Sequence, residues 1–192
     1  EEVKAMGHSL EALRMAGYTP KELRAAGYSL ADLRGARFTA GELRGGDFRV
    51  EELRGAGYTA TNLKEGGWDD LKRLRAAGFT AKELRSGGYT AAQLHADKLF
   101  TVKELVAIGY SARELYEGGY NPRDMEKAGL SLSEIKAAGF SFTELRKGGV
   151  EWHALAMHCH ATYEELLEAG FAKGHQDMDP KHHLFRTNAR TA

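Results

Sequence analysis

Acidic side chains recur about every ten residues, and this row of carboxylates is the first feature that could carry acid–base chemistry. The row comprises Glu22, Glu42, Glu83, Glu104, Glu114, Glu134 and Glu144. Each of these residues follows a Ser or Thr by three positions, which is the spacing of a helix capping box. We therefore predict that the row caps helices, and we name no catalytic residue.

A second row is basic, and it follows a recurring leucine by one position. Its members are Arg14, Arg24, Arg34, Arg44, Arg54, Lys64, Arg75 and Arg85. They lie about 100° around a helix from the leucine, so they should form a ladder along one flank. Two interpretations are open: a solvated face that pairs with acids on adjacent repeat units, or a docking strip for an acidic protein surface or a nucleic-acid backbone.

The basic row is interrupted midway along the chain. After His95 the equivalent positions hold Val106, Tyr116 and Glu126. The N-terminal half is therefore the better candidate for binding anions.

Histidines cluster near the C-terminus together with the single cysteine. The cluster comprises His153, His158, Cys159, His160, His175, His182 and His183. In a helix, His153 and His160 share a face but lie about 10 Å apart along the axis, which is too far for one metal ion. No zinc-type spacing, phosphate loop, nucleophile elbow or dinucleotide fingerprint is present. We predict no metal, no cofactor and no enzymatic activity.

Aromatic residues are unusually large near the C-terminal end. Phe142, Trp152 and Tyr163 occupy a position that smaller residues hold elsewhere, while another repeated position shrinks to Val150 and Ala161. Because the two changes roughly conserve volume, local repacking explains them. The alternative is an aromatic anchor for a partner protein. The candidate contact set is Trp152, Phe142, Tyr163 and Phe171.

The element that must position these side chains is a helix of about seven residues, best seen between Thr19 and Tyr28. Thr19 has the type and place of an N-cap, and Pro20 suits the first helical position. Gly27 supplies a left-handed residue that ends the helix. The central Leu23 is clamped by the aromatic residues before and after the helix. A helix this short does not persist alone in water, so neighbouring units must hold it.

The ten-residue unit repeats through most of the chain, and a fixed short period predicts a solenoid. With the capping residue as position one, leucine is position five, the basic residue is position six and the aromatic residue is position ten. Units start at Ser9, Thr19, Ser29, Thr39, Arg49, Thr59, Asp69, Thr80, Thr90, Thr101, Ser111, Asn121, Ser131, Ser141, Glu151 and Thr162. The units at Asp69, Thr90 and Glu151 have eleven residues, and we expect the first of these to carry its extra residue at the start.

A rival interpretation is a right-handed β-helix of pentapeptide repeats, which Ala31–Phe38 resembles. Leu33, Phe38 and Leu43 do recur every five residues. That fold needs small inward-facing residues where this chain has charged ones: Glu11, Lys21, Glu51, Lys82, Lys103 and Arg113. The capping residues also recur every ten residues and not every five, so we favour short helices.

The array resembles the tandem decapeptide repeats of the A-G-(Y/F)-(S/T)-x-x-E-L-R type found in algae, other protists and bacteria. The resemblance covers roughly Glu2 to Phe171. It implies a fold and no particular activity.

These observations predict an all-α solenoid of about sixteen short-helix units. Residues 1–171 form the repeat domain, and residues 172–192 form a tail with a candidate capping helix, Asp179–Arg186, that carries Leu184 and Phe185. Because Glu1 falls inside a repeat unit, we expect the chain to be a fragment or processed product of a longer protein.

Composition narrows the function without identifying it. The 192 residues carry 27 basic and 27 acidic side chains, so no global charge attracts nucleic acid or membranes. No apolar run approaches the roughly 18 residues of a membrane span, so we expect a soluble chain without membrane insertion. We expect a non-catalytic scaffold or protein-binding module, for example a subunit of a larger assembly. The alternative is binding of nucleic acid or another polyanion along the Arg ladder.

Overall fold

A computed structural model describes residues 7–96 and 99–171, and within these ranges the backbone is helical or turn, with no strand. In these two described ranges, fifteen α-helices and one 3₁₀-helix follow one another at intervals of about ten residues. The prediction of an all-α short-helix repeat is confirmed, and the β-helix alternative does not apply to these residues. None of the helices described is long and apolar enough to cross a bilayer.

The chain divides into two compact units, Glu1–Tyr89 and Thr90–Ala192. The first contains α1 (Leu10–Met15), α2 (Pro20–Ala25), α3 (Leu30–Gly35), η1 (Glu42–Gly46), α4 (Val50–Gly55), α5 (Ala60–Glu65), α6 (Leu71–Ala76) and α7 (Ala81–Ser86). The second contains α8 (Ala91–Ala96), α9 (Val102–Ala107), α10 (Ala112–Glu117), α11 (Pro122–Lys127), α12 (Leu132–Ala137), α13 (Phe142–Lys147), α14 (Trp152–His158) and α15 (Tyr163–Glu168). The tail helix predicted at Asp179–Arg186 lies outside the described residues, and the boundary at residue 171 stays a prediction.

Most of the described helices have hydrogen-bonded caps at both ends, as α2 illustrates. The backbone N–H of Thr19 donates to Glu22 Oε2 at 2.8 Å, and the N–H of Glu22 donates to the Thr19 hydroxyl at 3.3 Å. At the other end, Gly27 adopts φ 89°. Its N–H and that of Tyr28 donate to the Arg24 and Leu23 carbonyls, both at 3.0 Å. The predicted capping box and Schellman ending are both present.

Helices stack mainly on the helix that lies two repeats away in sequence. In the first compact unit α2 packs on η1, α4 on α6 and α5 on α7. In the second compact unit α8 packs on α10, α12 on α14 and α13 on α15. The position-five side chain is buried in each described helix: Leu23, Leu53 and Leu115 are each 0% exposed, and so are Met125 and Ile135, which replace leucine in α11 and α12. Burial of one apolar side chain from each repeat therefore supplies the core that so short a helix lacks by itself.

Glycine at position eight lets stacked helices approach closely. A Cβ on Gly87 would lie 2.8 Å from the Ala60 carbonyl carbon, and one on Gly118 would lie 2.8 Å from that of Ala91. In both cases the obstacle is backbone, which cannot rotate away. Glycine at these positions therefore permits the close approach of two helices whose repeats are two apart in the sequence.

Two segments of the first compact unit depart from the regular helix pattern of the repeats. The segment Glu42–Gly46 forms a 3₁₀-helix, in keeping with the low helix propensity of Gly41, Gly45 and Gly46. In the eleven-residue repeat that starts at Asp69, the N-cap is Asp70. The extra residue is therefore Asp69, and it lies at the start of the repeat, where it was predicted. Stacking continues past this insertion, because α6 still packs on α4.

Candidate functional site

The basic row reaches across stacked units, and Arg54 illustrates its contacts. One guanidinium nitrogen donates to the Ala77 carbonyl at 2.9 Å, at the C-terminal end of α6. Another lies 3.4 Å from Glu83 Oε1 at the start of α7. Between them the guanidinium carbon lies 4.8 Å from the centre of the Phe79 ring. We call this set of contacts (a cation, a carbonyl and an aromatic ring two units on, and a carboxylate three units on) a rung.

Arg24 forms a second complete rung, and Arg14 makes the carboxylate and ring contacts of one. Arg14 pairs with Glu42 at 2.8 Å and lies over Phe38 at 5.3 Å. Arg24 pairs with Glu52 at 2.9 Å, and it also donates to the Asp47 carbonyl at 2.9 Å. The expected pairing with acids therefore occurs. The expectation that these acids belong to adjacent units is wrong, since each lies three units further along the chain.

Some carboxylates of the acidic row, such as Glu83 and Glu42, serve two helices at once. Oε2 of Glu83 accepts from the backbone and hydroxyl of Thr80, while Oε1 faces Arg54. Oε2 of Glu42 accepts from Thr39 in the same way, while Oε1 accepts from Arg14. The Thr80 backbone N–H, then its hydroxyl and then Arg54 hold the pKa of Glu83 below its usual value. The capping role predicted for the row is confirmed, and the second role was not foreseen.

In the second compact unit, one rung is built on position three of the repeat instead of position six. Arg113, at position three of its repeat, donates to the Gly139 carbonyl at 2.6 Å and lies 3.4 Å from Glu144 Oε1. Its guanidinium carbon is 4.5 Å from the centre of the Phe140 ring. Position six of that unit is Tyr116, whose ring meets the edge of Phe140 at 4.8 Å. Sequence reasoning missed Arg113 because it followed position six alone.

Three of the remaining ladder residues make contacts that correspond to part of a rung. Lys64 donates to the Gly88 carbonyl and lies over Tyr89. Arg34 donates to the Ala56 carbonyl at 3.3 Å and lies 5.9 Å from the Tyr58 ring centre. Arg44 lies against Gly67. Arg75 and Arg85 occupy the same position on α6 and α7, exposed and half-buried respectively.

Tyrosines at position ten tie stacked units together through their hydroxyls. Tyr58 donates to the Phe38 carbonyl at 2.6 Å, and Tyr89 donates to the Trp68 carbonyl at 2.8 Å. Burial, and then the nearby charge of Asp69, raise the pKa of Tyr89 to about 12. These phenols are therefore neutral hydrogen-bond donors at physiological pH.

The aromatic residues predicted to contact a partner lie in α13, α14 and α15 and just after α15. Trp152 is 6% exposed and Phe171 is 8% exposed, so both are mostly covered. Phe142 and Tyr163 are half-buried. Met157 on α14 is 53% exposed. A role for this set in partner binding stays a prediction.

Among the described residues, no three His, Cys, Asp or Glu side chains come together as a metal site would require. Cys159 donates to the Leu132 carbonyl at 3.5 Å, and burial raises the pKa of its thiol. His175, His182 and His183 lie outside the described residues.

Comparison with protein families gives one match. The sequence model of the family described as "Decapeptide repeat region" matches residues 1–70 and 99–173. Comparisons with curated proteins and with solved structures found no match.

Proposed function

This chain belongs to the decapeptide repeat family, and from that premise we propose that it is a non-catalytic scaffold that binds protein partners. The observation that carries the proposal is that the repeated polar side chains serve internal contacts. Oxygens of the acidic row cap helices and bind arginines, and arginines of the basic row bind carbonyls and rings of later units. Side chains engaged in such internal contacts stabilise the fold and are not available for catalysis.

Variation at the exposed positions supports the same role. Position three holds Glu11, Lys21, Glu51, Lys72 and Lys82 in different units, and all five side chains are exposed. A repeat array with a fixed frame and a varied outer surface presents an extended area that one partner can recognise. Within this proposal, the half-buried Phe142 and Tyr163 supply most of the contact surface at the C-terminal end, and the mostly covered Trp152 and Phe171 supply less of it. Aromatic side chains dominate the energetics of many protein interfaces.

The first experiment identifies a partner and asks what kind of molecule it is. The full chain is immobilised, exposed to native extract with and without nuclease, and the retained proteins are identified. A candidate is then purified and titrated with the chain by calorimetry. We expect binding that survives nuclease digestion and changes little between 50 and 200 mM salt. A complex lost on nuclease treatment would contradict the proposal.

A matched pair of substitutions then tests the contact surface. Tyr163→Ala should weaken the complex by about tenfold or more, the usual size for an interface anchor. Tyr28→Ala removes a tyrosine that is also half-buried but lies in the first unit, and it should leave affinity unchanged. Equal effects of the two substitutions would exclude the C-terminal surface as the contact.

The second candidate function is binding of a nucleic acid or another polyanion along the basic row. The observation in its favour is that Arg34, Arg37 and Arg44 pair with no carboxylate in the described part of the chain. Such binding loses about 10³–10⁵ in affinity between 50 and 200 mM salt when six to ten phosphates are contacted. The same calorimetric titration, repeated with a single-stranded oligonucleotide, separates the two functions.

A further inference from the structure

The rung of Arg34 lacks its carboxylate and opens into a cavity. Three units after Arg34, the place held elsewhere by glutamate belongs to Asn62. Arg34 and Asn62 both line a cavity of about 450 Å³, which we call the Asn62 cavity. Its walls also include Arg37, Tyr58 and Glu65.

Asn62 replaces an acceptor oxygen with a donor group at this position, and it still caps the helix that begins after Thr59. Its Oδ1 accepts from the backbone N–H of Thr59 at 3.1 Å, as the glutamates do with Oε2. The other terminal atom of an asparagine amide is an NH₂ donor, whereas the second oxygen of a glutamate is an acceptor. Arg34 therefore meets no acceptor at Asn62. Both side chains have N–H groups to donate, so an anion between them would bind both.

Arg37 adds a second cation at a conformational cost. It occupies position nine, where most units have glycine, and it adopts φ 61°. That left-handed conformation is unfavourable for a residue with a Cβ, and such strain is often retained for function. Glu65 also lines the cavity but forms no ion pair with either arginine among the described contacts. The charged lining is thus two arginines against one glutamate.

Two neighbouring cavities show what distinguishes this one. The Glu83 cavity, about 520 Å³, repeats the arrangement two units later, with Arg54 already paired to Glu83 and Gly57 in the place of Arg37. A third cavity, about 300 Å³, contains Arg44 and Arg73 together with Asp69 and Asp70. In both of these, acidic side chains of the chain itself are present to balance the arginines.

We propose that the Asn62 cavity binds an aspartate or glutamate side chain of the protein partner, which completes the rung from outside. This inference rests on the proposed function, because it assumes a protein partner. The intact rungs supply the precedent: at each of them, a carboxylate oxygen binds an arginine of the same row. A carboxylate here would accept from the Arg34 guanidinium and the Asn62 amide, with Arg37 adding charge attraction.

Hexaglutamate, acetylated and amidated at its ends, serves as the probe, and binding to the full chain is followed by NMR. We expect shift changes at the side-chain N–H signals of Arg34, Arg37 and Asn62. Asn62→Glu supplies the missing carboxylate within the chain, so it should weaken binding by about tenfold or more, the worth of one charge-assisted hydrogen bond. Arg34→Gln should weaken it similarly, and Arg37→Gly, which restores the common residue, by a smaller factor.

Two further variants serve as controls on the same array. Glu83→Asn should open a second, weaker site at Arg54, because Asn62 itself demonstrates that asparagine still caps a helix at this position. Arg24→Gln breaks an intact rung that lines none of these cavities, and it should not change hexaglutamate binding. Circular dichroism of each variant confirms that the helices are intact.

Three results would overturn the inference: equal binding by Asn62→Glu and the parent chain, equal shift changes at all arginines of the row, or binding of an oligothymidylate at this cavity with no response to hexaglutamate. Failure here can be separated from failure of the proposed function. If a partner protein binds in nuclease-treated extract while hexaglutamate does not bind, the scaffold proposal survives and the cavity proposal falls.

Discussion

The rungs of Arg54 and Arg113 have the same contacts but are built from different positions of the repeat. Arg54, at position six in the first unit, contacts the Ala77 carbonyl, Phe79 and Glu83. Arg113, at position three in the second unit, contacts the Gly139 carbonyl, Phe140 and Glu144. In both, the carboxylate belongs to the unit three repeats further along.

This comparison shows that the structural role belongs to a place on the helix flank and not to one repeat position. Residues three apart on a helix are neighbours, so a long side chain from either position can reach the same ring and carbonyl. Where position six becomes Tyr116, the arginine moves to position three and the tyrosine packs on the same ring. The interruption of the basic row after His95 is therefore partly a relocation.

The largest expected effect tests whether the position-five leucine has the same role within each compact unit, despite their different rungs. Leu53→Ala and Leu115→Ala each remove a leucine that is 0% exposed. We expect each to lower the free energy of unfolding by about 2–5 kcal/mol, as large-to-small changes in a packed core do. Urea denaturation followed by circular dichroism measures this.

Lys82→Ala and Lys103→Ala are the matched controls, because both lysines are exposed residues of the same two units. Their unfolding free energies should stay within about 0.5 kcal/mol of the parent. A Leu53→Ala variant as stable as the parent would contradict the idea that the position-five leucine holds the stack.

The next effect concerns the close approach of stacked helices at position eight. Gly87→Ala and Gly118→Ala would each place a Cβ 2.8 Å from the backbone of the opposing helix. We expect each to destabilise the chain by about 1–3 kcal/mol, the usual cost of overpacking. Gly55→Ala has open space around its Cβ and should instead stabilise by about 0.5–1 kcal/mol. If all three glycines responded alike to substitution, close packing at position eight would not matter.

The sequence predicted what depends on contacts within about ten residues. Thr19, Glu22 and Gly27 define both ends of α2 from their types and spacing, and the structure has the cap bonds expected from them. Leucine periodicity likewise identified Leu23 as a core residue. The same local rules predicted that the eleven-residue unit starting at Asp69 would carry its extra residue at the start, and the N-cap at Asp70 agrees.

What the sequence could not predict is which distant residues meet. Arg14 and Glu42 are 28 residues apart, and nothing in the repeat distinguishes the next unit from the third. Their pairing depends on how many units make one turn of the stack, which is a property of the packed helices. For the same reason the replacement of glutamate by Asn62 had no evident meaning until Arg34 and Asn62 were found to line the same cavity.

A moderate effect distinguishes the two ways of building a rung. Arg54→Ala and Arg113→Ala should each cost about 1 kcal/mol, since both side chains are about one-third exposed and water screens their ion pairs. Arg113→Lys should retain part of this, because Lys64 makes the corresponding carbonyl and ring contacts in its own unit. Thermal unfolding of the three variants is compared with that of Lys103→Ala. An Arg113→Ala variant indistinguishable from that control would leave Arg54 as the only arginine of the pair with a stabilising role.

The smallest effect separates capping from ion pairing in the carboxylates. The pKa of Glu144 is lowered by the backbone N–H of Ser141, by the Ser141 hydroxyl and then by Arg113. The pKa of Glu134 is lowered by the hydroxyl and backbone of Ser131, with no arginine among the causes. A carboxylate whose pKa is lower in the folded chain adds stability that is complete above the unfolded pKa. That stability is lost as the pH falls through the folded pKa.

Arg113→Ala should therefore raise the pKa of Glu144 toward its ordinary value and leave that of Glu134 unchanged. A titration of the carboxyl ¹³C signals from pH 7 to pH 2 measures both groups in one sample. Added salt should reduce the contribution of Arg113 more than that of Ser141, because a screened charge interaction weakens with ionic strength while a short hydrogen bond depends on it less. If the pKa of Glu144 does not move in Arg113→Ala, the cap alone sets it, and the carbonyl and ring contacts of Arg113 remain as what joins these units.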